Sequence, residues 1–587
     1  MGINTKYRPF YQSVQISSLK EMLNLSCNTY AAKAAFLVKD KESHEYVPIL
    51  YSQLKNDVDA LGTSLINLDL QGKRVVIIGE NRYEWAVSYL AVVNGVGIII
   101  PLDKELPENE IDSLIRRSKA DAVIFSGKHE SIITKIVNNN DNVKVLVCMD
   151  SKEGEKAFHT FQELIIAGEK LLANGDKRFV DAEIDSEAMS IMLFTSGTTD
   201  SAKAVMLSQK NICTNIMDMT KMLYLDSNDT VLSVLPLHHT YECSCGFLTP
   251  LAKGLTIAYC EGLRHIAKNL KESKTTIMIS VPLIVEAMHR KIWEQAAKKP
   301  GLVPKMKIAL VITNILKFFG IDISRKIFKE LHENFGGRLR LIISGAASLD
   351  PRVAKGFRGL GVHFMQGYGL TECSPIIALN MDVYYKDAAV GLPMPSNEIK
   401  IEKAGFNKYG EIMAKGENIM LGYYENPEAT AEVMKDGWLY TGDLGYFDKE
   451  GFLYITGRKK DLIVTKNGKN IFPEELEMLL NRSPLIKESM VFGKTESEGD
   501  TIICATIVID KEYIEEKMGA ETSEETIKSL IDKEVKGVNK KISLYKHIRE
   551  YHIREEELNK TTTNKIKRYL EMAGEMASKF INSGHHN

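Results

Sequence analysis

A loop of small hydroxyl residues closed by a lysine is the stretch of this chain best equipped for chemistry: Thr195, Ser196, Gly197, Thr198, Thr199, Asp200, Ser201, Ala202 and Lys203, directly after the apolar run Ile191 to Phe194. Backbone N–H groups, hydroxyls and one ammonium are the donors that phosphate oxygens need, and such a loop can wrap them as a nest does. It is not a Walker loop, because the GxxxxGK[ST] spacing is absent. Two further turns suit a nucleotide. Ser344-Gly345-Ala346-Ala347 permits close backbone approach to a flat base, and Gln366 to Glu372 offers a stacking ring on Tyr368, a hydroxyl on Thr371 and a carboxylate for Mg2+ on Glu372. The run Pro236-Leu237-His238-His239-Thr240 brings two imidazoles, and Gly437 to Asp443 ends on a carboxylate.

These turns follow strand-like runs. Thr230 to Leu235, Thr275 to Ser280, Arg338 to Ile343 and Gly361 to Met365 each precede a candidate turn. Earlier, Tyr51 to Leu68 has helical spacing, Lys73 to Gly79 reads as a strand, Glu80 to Val93 as a helix, and Asp121 to Phe125 and Val143 to Met149 as strands. Strands alternating with helices make the first 190 residues look like a doubly wound α/β unit. At 587 residues the chain needs at least two domains, and its formal charge of −2 points to no nucleic acid. The eight cysteines form no CxxC or zinc-like spacing, and no secretory apolar segment stands at the start, so a reduced, cytoplasmic protein is expected. The longest apolar stretch, 86–102, carries Ser88, Tyr89, Asn94 and two glycines, and falls short of the roughly 20 apolar residues of a membrane span. Residues 305–331 mix apolar side chains with Lys305, Lys307, Lys317, Arg325, Lys326 and Lys329. That pattern suits peripheral contact with an anionic membrane, although an ordinary solvated helix face is the favoured reading.

Taken together, the turns resemble the signatures of the adenylate-forming (AMP-binding) superfamily, and long-chain fatty-acyl-CoA synthetases within it, over roughly residues 15–572. Tyr368-Gly369-Leu370-Thr371-Glu372 is among the most specific strings, and Gly79 to Trp85, Val281-Pro282 with Glu286, and Gly410 to Asp461 are also similar. The resemblance implies an α/β fold: a large N-terminal domain (1–459) of stacked doubly wound sheets plus a β-barrel-like subdomain, a small mobile α+β C-terminal domain (460–572) hinged at Lys460, and a tail (573–587). It implies ATP, Mg2+ and coenzyme A, with a fatty acid as substrate. Carried onto this sequence, Thr195, Ser196, Gly197, Thr198, Thr199 and Lys203 take the phosphates. Gly345, Ala346, Ala347 and Tyr368 hold adenine, Thr371 the α-phosphate, Glu372 the metal, and Asp443 with Arg458 the ribose. His239 lines the carboxylate pocket, Lys565 is the adenylating lysine, and Gly468 leaves room for a pantetheine arm. Lys565, Lys203, Thr371 and His239 are thus the expected catalytic groups. Amino-acid-activating relatives carry an aspartate near Pro236; its absence between Pro236 and Gly246 fits an uncharged acyl tail.

The implied reaction has two halves. A carboxylate attacks the α-phosphate of ATP to give an acyl-adenylate and pyrophosphate, and a thiolate then displaces AMP. Coenzyme A or the pantetheine of an acyl carrier protein can be that thiol, and both stay open. Asp200, Ala202, Ala204 and Asn564 depart from the family pattern, which motivates a further alternative, a catalytically impaired nucleotide- or acyl-binding homologue. Intact Lys203, Glu372, Asp443, Arg458 and Lys565 argue against it.

Overall fold

The strands Lys73–Ile78, Gly97–Leu102 and Ala122–Phe125 are Val- and Ile-rich runs without polar alternation, the pattern of strands covered on both faces, and they pair in parallel. They form the middle of an eight-stranded sheet in the order 422–423, 203–208, 189–195, 97–102, 73–78, 122–125, 145–148, 159–160. One edge is antiparallel: Lys203–Ser208 folds back on Met189–Thr195, and Gly422–Tyr423 pairs with Lys203–Ser208. The computed structural model describes residues 10–150, 158–195, 202–403, 408–466, 468–495, 501–519, 522–560, 566–568 and 570–572.

A second sheet has nine strands, ordered 392–393, 376–379, 363–369, 341–344, 277–280, 230–233, 256–259, 34–39, 46–50. After Thr230–Ser233 the chain lays Thr256–Tyr259 on one side and Ile277–Ser280 on the other, all parallel, so the winding reverses at that strand. In open α/β sheets ligands bind outside the carboxyl ends of the strands at such a reversal. The turns carrying His239, Gly345 and Thr371 follow the carboxyl ends of Thr230–Ser233, Leu341–Ser344 and His363–Gly369.

Period-2 alternation divides the side chains between cores. Val75 and Ile77 of the first sheet share one core with Val231, Ile277 and Ile279 of the second, filled by Tyr51–Asn67, Tyr83–Ala91 and Gln209–Met222. Val76 and Ile78 face a separate layer with Ile111 and Ile115, and Leu232 and Met278 another with Val285 and Phe357. A five-stranded antiparallel sheet follows, built on Asn397–Glu402, Gly410–Gly416, Trp438–Phe447 and Leu453–Arg458. Beyond it, Ile486–Thr495, Thr501–Ile509 and Ile548–Arg554 form a three-stranded sheet with Pro473–Leu480 and Glu524–Asn539, around a core of its own that includes Leu476, Val491, Ile507 and Ile531. Arg482 Nε reaches Asp350 Oδ2 at 3.0 Å, and Asn470 Nδ2 donates to the Tyr409 hydroxyl at 2.7 Å, joining this unit to the larger one.

The structure revises two expectations. The hairpin Ala34–Lys39/Tyr46–Leu50 pairs with Thr256–Tyr259 in the second sheet, so the first 190 residues do not close on themselves. A half-buried strand pattern dictates a strand, while the sheet edge it joins depends on distant residues, Phe36 pairing with Ile257. The helix expected from Glu80 begins at Tyr83, with Asn81 ahead of it bonded to Ser233 Oγ, and continues into a wider π-turn over Val92–Val96. Residues 305–331 run through three helices, Leu302–Phe318, Ser324–Ile327 and Lys329–Asn334, with 319–323 and 328 between them.

Candidate active site

Antiparallel pairing of Trp438–Phe447 with Leu453–Arg458 sets Asp443 directly opposite Arg458. Arg458 Nε lies 3.0 Å from Asp443 Oδ1, and the Tyr368 hydroxyl donates to Oδ2 at 2.7 Å. Asp443 and Tyr368 are only 5% and 7% exposed, so this carboxylate is held at both oxygens in a low-dielectric setting. Burial, then the Asp443 charge, raises the Tyr368 phenol well above its ordinary range and keeps it a donor. Burial works against the Arg458 charge, but Asp443 together with Tyr368, Asp461 and Glu372 outweighs it and raises the guanidinium. The turn after Tyr368 requires glycine: a Cβ on Gly369 would lie 1.7 Å from the Pro375 carbonyl oxygen. Thr371 follows, accepting from Thr240 Oγ1 at 3.3 Å and so tying the nucleotide turn to the histidine turn.

Thr195 and Lys203 face each other at the ends of the paired strands Met189–Thr195 and Lys203–Ser208, with Thr195 Oγ1 donating to the Lys203 carbonyl at 3.3 Å. Ser196, Gly197, Thr198, Thr199 and Asp200 lie outside the described residues. Lys203 Nζ stands 4.9 Å from the centre of the Tyr423 ring, whose hydroxyl donates to Glu372 Oε1 at 2.9 Å. Tyr423 therefore joins the lysine of one motif to the carboxylate of another. Sequence reasoning missed it, since a Gly-Tyr pair in a loop carries no chemical signal until the strand Gly422–Tyr423 lies beside Lys203–Ser208. No group of three or more His, Cys, Asp or Glu that could hold a metal occurs among the described residues. One carboxylate suits Mg2+, which is commonly held by one or two carboxylates together with substrate phosphates.

The histidine turn is positioned by Asn81. Its amide donates to Ser233 Oγ at 2.9 Å and the Leu235 carbonyl at 2.7 Å, and accepts from the Leu237 N–H at 3.0 Å. The resemblance at Gly79 to Trp85 marked this stretch in the sequence without giving Asn81 a role. His239 N–H donates to the Pro236 carbonyl at 3.1 Å, and the His238 and His239 rings are 4.4 Å apart. Burial pushes His238 down to about 3, so it is neutral, and its 3.5 Å approach to Asp103 is no ion pair. One turn on, Glu242 is fully buried and accepts from Ser233 Oγ at 2.6 Å; burial pushes its carboxyl up to about 8. Between them, Tyr241 packs against Gly345, where a Cβ would sit 3.1 Å from its ring. Ala346 has a left-handed φ of 70°, and Ala346 and Ala347 are exposed. Behind Tyr241 an apolar cleft with about 30 Å³ of free space is lined by residues including Met219, Leu223, Val231, Cys245 and Ile279. No lining residue of that cleft is charged.

In the smaller unit, Gly468 sits in a turn with φ 70°, donating to the Thr465 carbonyl at 2.8 Å. Nothing lies within 4 Å of a Cβ built there, so its backbone demands glycine while its surroundings stay open. Lys560 pairs with Ile566, and the Lys567 N–H donates to the Asn559 carbonyl at 2.7 Å. Lys565 and Asn564 lie outside the described residues. Arg568 is anchored on the smaller unit, with Nη2 at 2.7 Å from both Glu477 carboxylate oxygens and Nη1 at 3.0 Å from the Val491 carbonyl.

The AMP-binding enzyme family matches residues 24–424, and its C-terminal domain matches residues 460–573. The chain is an AMP-binding enzyme. This AMP-binding enzyme is 28% identical to the long-chain-fatty-acid–CoA ligase FadD15 of Mycobacterium tuberculosis, across 89% of this chain and 90% of that protein. It is 30% identical to long-chain-fatty-acid–CoA ligase 5 of Mus musculus, across 78% of this chain and 70% of that one. Its fold is that of the anthranilate CoA ligase AuaEII in complex with anthranoyl-AMP, with a TM-score of 0.76 at 20% identity, covering 97% of this chain and 99% of that one. The adenylation domain of a carboxylate reductase from Mycobacterium chelonae gives a TM-score of 0.79 at 19% identity, covering 96% and 91%.

Proposed function

We propose that this AMP-binding enzyme activates a fatty acid as its acyl-adenylate and transfers the acyl group to coenzyme A, with release of AMP and pyrophosphate. The observation that carries the reading is the convergence of Tyr368, Asp443 and Arg458 with Thr371, Glu372, Tyr423 and Lys203 beside an uncharged cleft. The Asp443 carboxylate accepts from the ribose hydroxyls, and the turn of Gly345, Ala346 and Ala347 leaves backbone groups open to the adenine edge. Lys203 and the hydroxyl loop receive the outer phosphates. Thr371 lies where the α-phosphate meets the carboxylate held by the His239 turn, and the uncharged lining beside Tyr241 suits an acyl tail once its about 30 Å³ of free space widens. Mg2+, held through Glu372, supplies further charge neutralisation on the phosphates.

The carboxylate oxygen attacks the α-phosphorus and pyrophosphate leaves; Lys565 stabilises the charge developing there. Transfer to the thiol needs the open Gly468 turn instead. We assign residues 1–459 and 460–572 as bodies that pivot at Lys460, which is flanked by a Lys459–Glu411 contact of 2.7 Å and an Asp461 N–H bond to the Arg458 carbonyl of 3.2 Å. The test is direct. Purified protein with ATP, Mg2+, coenzyme A and a long-chain acid should yield AMP, pyrophosphate and acyl-CoA together. Pyrophosphate without acyl-CoA would favour an acyl carrier protein as acceptor. No pyrophosphate with any fatty or aryl acid would leave a binding homologue.

A further inference from the structure

Leu302–Phe318 has two apolar faces, and the fold uses one of them. Met306 and Thr313 are buried, and Leu310 packs so closely on the next helix that a Cβ on Gly359 would lie 2.7 Å from its Cδ2. On the other face Ile308, Val311, Ile312, Ile315 and Phe318, with Phe319 just past the helix end, are 61, 58, 45, 54, 85 and 70% exposed. Spaced i, i+3, i+4, i+7, i+10 and i+11, they form one stripe over about 120° of the helix surface. Scattered exposed apolar residues need no explanation, whereas a contiguous stripe marks an interaction surface. Lys305 and Lys307 are exposed and fall on opposite edges of the stripe; Lys326 follows beyond it. No acidic residue occurs between Glu294 and Asp322. The helix has 17 residues, about 25 Å, and no helix among the described residues is long and apolar enough to cross a membrane.

We propose that this face docks on an anionic bilayer, the helix lying in the interfacial plane with its stripe among the acyl chains and Lys305, Lys307 and Lys326 at the headgroups. Charge decides the occupant. Two copies meeting through this face would set lysines against lysines with no carboxylate between them, while anionic headgroups complement both edges of the stripe. The Phe318 and Phe319 rings, edge-to-face with centres 5.4 Å apart, form the deepest-reaching end. The sequence favoured a solvated helix face; the structure turns the isoleucines and phenylalanines outward along with the lysines.

Flotation of the full chain with vesicles of phosphatidylcholine, with and without phosphatidylglycerol, tests this. The wild type should float with the phosphatidylglycerol vesicles and release at high salt. The double variant Ile315→Asp, Phe318→Asp should bind at least about tenfold more weakly. Lys305→Ala and Lys307→Ala should each weaken binding by about fivefold, on the anionic vesicles alone. Unchanged thermal melting and AMP binding would show that the variants fold. Absence of wild-type flotation, equal flotation of the double variant, or lipid-free self-association abolished by that variant without any vesicle binding would each overturn the proposal, the last in favour of a second copy.

Discussion

Replacing Asp443 with asparagine is the sharpest test of the nucleoside site, because both of its oxygens are already committed. Oδ1 faces Arg458 Nε at 3.0 Å and Oδ2 accepts from the Tyr368 hydroxyl at 2.7 Å, in a residue only 5% exposed. Asparagine preserves the shape but keeps one acceptor oxygen. Turned toward Tyr368, it presents its NH2 group to a guanidinium, donor against donor; turned the other way, it leaves the phenol without an acceptor. Either way one charge-assisted hydrogen bond is lost, worth about 1.5–3 kcal/mol. In the proposed function the ribose hydroxyls use the same oxygens, so AMP affinity should fall by about 10- to 150-fold. Calorimetric titration with AMP measures this without turnover, and a urea melt separates lost binding from lost stability. AMP affinity within about threefold of the wild type, with unchanged melting, would refute Asp443 as the acceptor of the nucleoside.

Lys565→Ala should lose most adenylate formation while thioester formation from supplied acyl-AMP survives; equal loss of both half-reactions would contradict the assignment of that lysine to the first step. Asp200→Gly should leave the Michaelis constant for ATP within a few-fold, because a solvent-facing charge contributes on the order of 1 kcal/mol or less. Tightening by tenfold or more would place the carboxylate against the triphosphate. Glu242 yields a pH signature: its folded carboxyl is pushed above its unfolded value, to about 8, so the unfolded state loses this proton first and stability declines between about pH 4.5 and pH 8. Glu242→Gln cannot develop that charge and should flatten the decline by several kcal/mol; urea melts at pH 5 and pH 8 that give the same difference for both proteins would contradict a neutral buried Glu242.

Much of the site was legible in the sequence because its motifs have an unusual composition or match a family pattern. Tyr368 to Glu372 stood out as glycines, a ring and a carboxylate after a strand-like run, Asp443 and Arg458 were assigned through the family resemblance, and the structure brings Tyr368, Asp443 and Arg458 into contact. The alternating α/β pattern was equally readable, since β-branched runs declare themselves locally. What the chain order did not disclose was which turns meet. Tyr423 links Lys203 to Glu372 only through the pairing of two short strands, and Asn81 serves the turn at Leu237 from 156 positions away. The direction of the Leu302–Phe318 stripe was hidden for a related reason. Helical spacing marks residues that share a face, but with apolar residues on both faces only packing against Gly359 and its neighbours decides which one is buried. Local patterns record what each segment can do with its own backbone. Contacts between distant segments depend on how the two sheets stack, and that arrangement is a property of the whole core, where many weak apolar contacts choose among the packings the segments allow.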